Sequence, residues 1–225
     1  ADVAATAERS ASGWRLNGQK SVVIAAPWAD QLIAAVRTSG SVGDAAGVSL
    51  FLTAADASGV AVHPYPTIDG RRAADIIMTD VEVGSDALIG SEGQGLELLE
   101  ELRDRAVAAQ AAEAAGLLDK LLQDTVAYTQ QRQQFGQPIA SFQVLQHRMV
   151  DMYMHVELTR AAALLATLKL DAPAEERARA ASSAKATVTE ACRFVGQNAV
   201  QLHGGMGMTD ELPIGDRPPP QCSGG

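Results

Sequence analysis

The spacing of hydrophobic positions changes near residue 90 of the chain. Before that point, short runs of alternating apolar and polar residues are separated by loops rich in Gly, Ser and Asp. Alternation with a period of two is typical of strands that bury one face. The pattern predicts strands at 31–37, 48–52, 60–63, 75–79 and 81–83. Such short strands at regular spacing predict a compact β-barrel or sandwich.

A tight hairpin is expected ahead of these strands. Residues 13–18 read Gly-Trp-Arg-Leu-Asn-Gly, and residues 19–24 continue as Gln-Lys-Ser-Val-Val-Ile. Asn-Gly is the strongest short hairpin signal, because both central residues of a type I′ turn need positive φ. The sequence therefore predicts a chain reversal at Asn17 and Gly18, with 19–24 as the return strand.

After residue 90, apolar positions recur every three or four residues on a background rich in Ala, Leu, Glu and Gln. This period predicts a long helix at 96–130. Ser141 is the predicted N-cap of a second helix that ends near residue 170. Pro173 suits the first turn of a third helix at 174–203. Three long helices with short connections predict an antiparallel bundle.

The predicted fold class is therefore α+β, with a β domain followed by a helical domain. Residues 1–88 form the small β-barrel or sandwich domain, and residues 89–216 form the antiparallel bundle of long helices. Residues 217–225 read Arg-Pro-Pro-Pro-Gln-Cys-Ser-Gly-Gly and are predicted to be a disordered tail.

Composition narrows the possible partners. The net charge of −9 argues against a nucleic-acid partner, because neutralising phosphates requires a basic surface. Two cysteines, Cys192 and Cys222, give no zinc-site spacing, and we expect no structural disulfide between them. No apolar stretch is long enough to span a membrane, and the first residues do not resemble a secretory signal. These features favour a soluble cytoplasmic protein.

Several motifs of the chain resemble the acyl-CoA dehydrogenase family. They are Gly-Trp-Arg-Leu-Asn-Gly-Gln-Lys at 13–20, Leu-Ile-Gly-Ser-Glu-Gly-Gln-Gly at 88–95, Arg-Gln-Gln-Phe-Gly at 132–136, Ser-Phe-Gln at 141–143, and Gln-Leu-His-Gly-Gly-Met-Gly-Met-Thr-Asp-Glu at 201–211. In this order they are similar to the middle and C-terminal domains of that family, over almost all of residues 2–216. The resemblance implies an acyl-CoA dehydrogenase-like fold that lacks the family's N-terminal helical domain. The sequence at 71–75 and 142–152 is similar to that of the pimeloyl-CoA dehydrogenase small-subunit branch.

The resemblance implies that FAD is the cofactor and that Arg132 binds its pyrophosphate. A guanidinium offers paired donors to phosphate oxygens, which makes this role chemically sound. Phe135 is expected beside the ribityl and adenine portion. Taken singly, an Arg near a helix end is usually a solvated charge and a Phe is usually part of a core.

Four further residues complete the cofactor set that the resemblance implies. Gln143 and Gln201 are expected to hydrogen-bond to the dinucleotide, whereas Gly204 and Gly205 allow the backbone to approach a phosphate closely. Each also has a simpler explanation, since Gln is common on exposed helix faces and Gly commonly ends a helix. Their joint occurrence in family order favours the cofactor site.

The implied reaction is α,β-dehydrogenation of an acyl-CoA thioester to the trans-2-enoyl-CoA. A carboxylate removes the α-proton, the β-hydrogen leaves as hydride to FAD, and an electron-transfer flavoprotein receives the electrons. The resemblance also implies a homotetramer or a heteromeric assembly. Asp104 matches an Asp that contacts the pantetheine of CoA. The family carries a cation at the position of Val107, and Arg105 or Arg103 is expected either to substitute for it or to be a solvated helix charge.

The catalytic base is unknown from this sequence. The family's usual Glu is expected beyond residue 225, and the alternative position on the first long helix matches Ala106. The chain is accordingly interpreted as a fragment with little or no dehydrogenase activity by itself. Two other hypotheses stay open, namely a non-catalytic flavin-binding partner subunit of a heteromeric enzyme, and an interaction module without a cofactor.

Other residues depart from the family pattern or carry no assigned chemistry. Val22 and Ile24 stand where the family places an aromatic residue and a Thr against the flavin ring, and Trp28 is expected to anchor the barrel. The histidines form no constellation and are expected to be core or solvated residues: His63, His147, His155 and His203.

Overall fold

A computed structural model describes residues 2–208 of the chain, and Met208 by its backbone alone. The chain divides into two compact units, residues 1–100 and residues 101–225. The predicted disordered tail at 217–225 and the last three residues of the 201–211 motif lie outside the described residues.

The first unit is built on a mixed sheet. Its strands are β1 (Thr6–Arg9), β2 (Gly13–Ile24), β3 (Gln31–Arg37), β4 (Val48–Ala54), β5 (Val60–Pro66), β6 (Arg72–Gly84) and β7 (Leu88–Ile89). The strand order is β5-β6-β2-β1-β3-β4-β7. Its pairs are antiparallel except β1 with β3, which is parallel.

The core of this unit lies on one face of the sheet. Buried residues alternate at the start of β2 and along parts of β6, as the period-two pattern predicts, whereas residues 48–51 of β4 are all buried. Trp14 and Phe51 pack with ring centroids 5.1 Å apart and are fully or almost fully buried. Leu16, Ile76 and Val81 surround them. Burial of these large side chains is the main term that stabilises the sheet.

The predicted reversal at Asn17 and Gly18 is wrong, because β2 runs through both residues. The chain turns earlier, where the Ser10 amide donates to the Gly13 carbonyl oxygen at 3.0 Å. Asn17 instead exchanges hydrogen bonds with Asp80 of β6, and the register with β6 shifts between Leu16 and Gly18. The extra residue of this β-bulge lies on β6, in the segment of Thr79 and Asp80, so Asn-Gly lies opposite a bulge rather than in a turn.

Two other expectations for this unit also need correction. The strands predicted at 75–79 and 81–83 are one strand, β6, which passes through Asp80 with φ of 51°. Trp28 does not anchor the sheet, because 68% of its surface is exposed in a short 3₁₀ turn, Ala26–Trp28. The buried tryptophan is Trp14.

The second unit is dominated by three helices, of which the first begins in the preceding unit. They are α1 (Gly95–Gln131), α2 (Gln143–Leu168) and α3 (Ala174–His203). The bounds of α3 and the α+β fold class are confirmed. The predicted N-cap at Ser141 is wrong: Phe142 is the N-cap, and the Ser141 hydroxyl donates to the Pro138 carbonyl oxygen within a 3₁₀ turn. Pro173 is the N-cap of α3, one position before the predicted first turn.

The three helices share one apolar core that is rich in alanine. Its fully or almost fully buried members come from every helix: Ala108, Ala111, Leu118, Met152, Val156, Ala191 and Val195. Small side chains allow helix backbones to approach closely, which explains why so few aromatic residues suffice. Arg160 of α2 also pairs with Asp119 of α1 at 3.3 Å. Among the residues described, no helix is long and apolar enough to cross a membrane.

Candidate functional site

A two-residue hairpin follows the end of α1. Strands β8 (Gln133–Gln134) and β9 (Gln137–Pro138) pair across Phe135 and Gly136, whose φ values are 54° and 78°. The amide of Ile139 donates to the Arg132 carbonyl oxygen at 2.8 Å and closes the hairpin. Two positive φ values match the type I′ turn that a two-residue hairpin favours.

Phe135 occupies a costly position at the tip of this hairpin. A residue other than Gly in the left-handed region costs on the order of 1–3 kcal/mol. The ring is 91% exposed, and its edge-on contact with Phe142, at 6.1 Å between centroids, is the aromatic contact that the structure gives it. A strained backbone that presents a large apolar ring to solvent is the arrangement expected of a ligand contact.

Arg132 stands at the base of the same hairpin with an exposed side chain. The described part of the chain offers its guanidinium no ion pair, although its backbone is fixed by bonds to Tyr128 and Ile139. A positioned guanidinium without a carboxylate partner is available for an anionic ligand.

The C-terminal end of α3 forms the second part of the site. Gly204 caps the helix with φ of 60°, and its amide donates to the Gln201 carbonyl oxygen. A Cβ added at Gly204 or at Gly205 meets no atom of the described residues within 4 Å. Gly204 is therefore required by its backbone conformation, whereas nothing in the described part of the chain requires glycine at position 205.

Tyr128 and His203 connect the hairpin after α1 to the C-terminal end of α3. The sequence motifs did not predict this contact. Their rings stack at 4.3 Å between centroids, and the Tyr128 hydroxyl donates to the His203 carbonyl oxygen at 3.4 Å. His203 is buried, and its Nδ1 lies 2.8 Å from the Ala199 carbonyl oxygen. Tyr128 lies one helical turn before Arg132, and His203 directly precedes Gly204. Those spacings were the signal available in the sequence.

The two glutamines of the predicted set lie at helix ends. Gln143 is the first residue of α2, and Gln201 lies in the last turn of α3. Both are exposed. Their roles toward a dinucleotide stay predictions.

Asp104 of the predicted substrate set is almost fully buried, with 2% of its surface exposed. Its Oδ1 accepts from Arg103 at 3.1 Å, and its Oδ2 accepts from Arg177 of α3 at 3.3 Å. Both carboxylate oxygens are thus engaged inside the protein, and the pair links α1 to α3. This geometry accounts for Asp104 without a substrate, and its contact with CoA stays a prediction.

Arg105 contacts carboxylates other than Asp104, and its side chain is about half exposed. Its guanidinium donates to Glu101 at 2.9 Å and to Asp171 at 3.3 Å, and the hydrogen bond to Glu101 is the main cause that raises the pKa of the guanidinium. Ala106, the position matched to an alternative base, is exposed on α1 and carries no titratable group.

A strained segment of β2 in the first unit carries Val22 and Ile24, both more than half exposed. Val22 has φ of 56°, which is rare for a β-branched residue, and its amide donates to Asp75 Oδ1 at 3.0 Å. The Tyr65 hydroxyl donates to the same oxygen at 3.1 Å; partial burial, with this bond, raises the pKa of Tyr65. The register with β6 shifts between Lys20 and Val23, and this second bulge is held by side chains rather than by turn residues.

Comparison with protein families matches both units. Residues 1–83 match the model of the acyl-CoA dehydrogenase middle domain, and residues 93–217 match that of the acyl-CoA dehydrogenase C-terminal domain.

Relatives and solved structures agree with these matches. The mitochondrial long-chain specific acyl-CoA dehydrogenase of Mus musculus is 33% identical over 219 residues, which are 94% of this chain and 50% of that protein. A structure of PigA with FAD and proline has 30% identity and a TM-score of 0.88, covering 95% of this chain and 56% of the other. A chain of the ChsE4-ChsE5 complex from Mycobacterium tuberculosis has 27% identity and a TM-score of 0.78, covering 94% and 55%. The chain thus spans about half the length of the relatives it matches.

Proposed function

The chain belongs to the acyl-CoA dehydrogenase family, and we propose on that basis that it forms part of an FAD-dependent enzyme that dehydrogenates an acyl-CoA at its α and β carbons. The family is an oxidoreductase family. We propose the cofactor, the substrate class and the electron acceptor of that family for this chain as well.

The observation that carries the proposal is the combination of an arginine that has no ion pair within the described residues and an exposed glycine turn. Arg132 follows α1, and Gly204 and Gly205 follow α3, with the Tyr128–His203 contact joining the two helix ends. Guanidinium and exposed backbone amides both bind phosphate oxygens well. An FAD pyrophosphate matches that set of donors, and the exposed ring of Phe135 offers an apolar contact nearby in sequence.

The chain's own residues have distinct tasks in this proposal. Arg132 holds the pyrophosphate charge, and Gly205 leaves space for the close approach of a phosphate. When bound, FAD supplies the acceptor for the substrate's β-hydrogen. No base is assigned among the described residues. We further propose an electron-transfer flavoprotein as the acceptor of electrons and an oligomeric assembly of the complete enzyme.

Ala106 favours a second candidate, a non-catalytic flavin-binding partner subunit. The position on α1 that matches an alternative base of the family holds an alanine. The ChsE4-ChsE5 structure contains two different chains, and a heteromeric arrangement of this kind could supply a base from the companion. Both candidates require FAD, but they differ in whether an acyl-CoA reduces it.

An absorbance titration tests the cofactor site. We expect the purified protein to bind FAD stoichiometrically and Arg132→Gln to weaken binding by roughly 10- to 100-fold, because a charge-assisted bond to phosphate is lost. Arg179→Gln is the matched control: Arg179 is equally a surface arginine, with an ion pair to Glu175, and the net charge changes by the same amount. Equal FAD affinity in the two variants contradicts the role of Arg132, and no binding by any form contradicts the proposed function.

Anaerobic addition of acyl-CoA to the FAD-loaded protein separates the two candidates. Loss of the flavin's visible absorbance identifies a dehydrogenase. Unchanged absorbance, with restored bleaching after a companion subunit is added, identifies the partner-subunit alternative.

A further inference from the structure

The β-bulge near the end of β2 decides which side chains of that strand face the core. Before the bulge, Lys20 pairs with the buried Ile76 of β6, so its side chain starts on the core face of the sheet. After the bulge, Val23 packs against the same core, whereas Val22 and Ile24 are each more than half exposed. One extra residue in a strand reverses the faces of all the side chains that follow it. The bulge therefore turns two large apolar residues away from the core.

Asp75 is the residue of β6 that faces this bulge. Between consecutive pairs of the register, β2 has two residues, Ser21 and Val22, where β6 has Asp75 alone. Asp75 Oδ1 accepts hydrogen bonds from the Val22 amide at 3.0 Å and from the Tyr65 hydroxyl at 3.1 Å. The carboxylate thus bonds the extra residue directly, and Tyr65 of β5 fixes the position of the carboxylate.

The backbone around the bulge is strained at two places. Four non-glycine residues in the described part of the chain have positive φ, and two of them, Val22 at 56° and Ala25 at 64°, lie on either side of Val23 and Ile24. A β-branched residue rarely adopts this conformation, which glycine adopts readily. Strained residues of this kind persist only where the surroundings hold them, and they are concentrated at ligand sites.

We propose that Asp75 is a positioning residue for flavin binding. Its bond to the Val22 amide maintains the bulge, and the bulge presents Val22 and Ile24 to the isoalloxazine ring. The proposal rests on the function proposed above, because it takes FAD as the ligand. It adds to that function the residue that holds this end of β2 in its ligand-binding conformation.

The chemistry of the exposed residues suits a ring better than a phosphate. Val22 and Ile24 carry no polar group, so they offer dispersion contacts to a planar ring and no donor to an anion. The carboxylate of Asp75 lies beside them and repels a phosphate. Of the parts of FAD, the ring system is therefore the one that fits this surface.

Titrations with FAD and with ADP test the role of Asp75. ADP contains the adenosine and the pyrophosphate of FAD but lacks the isoalloxazine ring. We expect Asp75→Ala to weaken FAD binding roughly fivefold to tenfold, which is the size of one lost hydrogen bond, and to leave ADP affinity unchanged. Asp75→Asn keeps an acceptor at Oδ1 and is expected to bind FAD within about threefold of the unaltered protein. Equal losses for FAD and ADP in Asp75→Ala, or no loss for either, overturn the proposal.

Asp80→Ala is the matched control. Asp80 lies at the other β2–β6 bulge, has φ of 51° and exchanges hydrogen bonds with Asn17 across the strands. The control removes the same charge and a similar cross-strand contact, so we expect it to destabilise the sheet but to leave FAD affinity unchanged. Thermal melts show that each variant is folded. An equal fall in FAD affinity in Asp75→Ala and Asp80→Ala contradicts a specific role of Asp75.

A double-mutant cycle with Val22→Gly tests how Asp75 acts. Glycine adopts positive φ readily, so the bulge no longer depends on the carboxylate. Asp75→Ala is therefore expected to weaken FAD binding when Val22 is present and to have little further effect in the Val22→Gly background. Losses that simply add in the double variant show that Asp75 does not act through Val22, which overturns the proposed mechanism.

Failure of this proposal is distinct from failure of the cofactor site. Absence of FAD binding by the unaltered protein contradicts both. FAD binding that Arg132→Gln weakens and Asp75→Ala does not removes Asp75 alone. The visible absorption bands of the bound flavin give a second readout, since we expect them to shift in Asp75→Ala, where the surroundings of the ring change, and to stay in place in Asp80→Ala. Unshifted bands in both variants contradict a contact between this end of β2 and the ring.

Discussion

Asp104 of α1 and Arg132, which directly follows α1, differ in whether the protein provides an oppositely charged partner. Asp104 is almost fully buried, and both of its oxygens are bonded to guanidinium groups. Arg132 is exposed and has no ion pair within the described residues. Burying a carboxylate without partners is very costly, so Asp104 must be paired for the helices to pack. Arg132 costs nothing to leave unpaired in water and is kept available for a ligand.

Gly205 and Gly207, two of the three glycines that follow α3, show the same contrast. A Cβ at Gly207 would lie 2.8 Å from the Val200 carbonyl oxygen and 3.1 Å from His203 Cβ. A Cβ at Gly205 would meet open space. Packing of the described residues therefore constrains position 207 and leaves position 205 open. In both comparisons, the described packing explains one residue, Asp104 or Gly207. We assign the other residue, Arg132 or Gly205, to ligand binding.

The largest predicted effect comes from Asp104→Ala. Arg177 is left largely buried without its carboxylate, and we expect a loss of about 3 kcal/mol in the free energy of unfolding. Arg132→Ala is the comparison variant and is expected to change stability by less than about 0.5 kcal/mol. Urea denaturation of both variants measures the difference. Equal stability, together with loss of acyl-CoA binding in Asp104→Ala, would support the substrate role instead.

An intermediate effect is predicted for Gly207→Ala. The added methyl group overlaps backbone that cannot easily move, and such overpacking costs about 1–3 kcal/mol. Gly205→Ala is expected to leave the melting temperature unchanged and to weaken FAD binding. Thermal melts and FAD titrations of the two variants check this reversal of effects. Unchanged FAD affinity in Gly205→Ala removes that glycine from the proposed site.

The smallest effect is predicted for Tyr128→Phe. The substitution keeps the stacked ring and removes a hydroxyl whose 3.4 Å bond to the His203 carbonyl oxygen is long. We expect a loss of about 0.5 kcal/mol, at the low end for a hydrogen bond. Tyr128→Ala, which also removes the stacked ring, should lower FAD affinity more than Tyr128→Phe does. Equal FAD affinity in both would show that the contact does not position Gly204 for the ligand.

Long periodic segments were predictable from the sequence, because the weak preferences of many single residues for helix or strand agree there. Helix α3 begins and ends where the pattern indicates, and strand β3 does as well. The family and the order of the two domains followed from motif order.

Local signals failed where distant residues decide the backbone. Asn17 and Gly18 have the composition of a turn, but Asp80 bonds the Asn side chain and Ala5 passes so close to Gly18 that a Cβ would lie 2.6 Å from the Ala5 Cβ. Phe135 adopts the left-handed turn conformation although its residue type does not favour it. The Tyr128–His203 stack depends on how α1 and α3 pack, and no short motif encodes that distance.

The contrast between the two tryptophans of the chain has a practical consequence. Trp14 is 3% exposed against Phe51, whereas Trp28 is 68% exposed. Indole fluorescence depends on the polarity of its surroundings, so the two residues emit at different wavelengths and only Trp28 is open to a dissolved quencher. The first unit thus carries one intrinsic reporter of its core and another of its surface, without any added label.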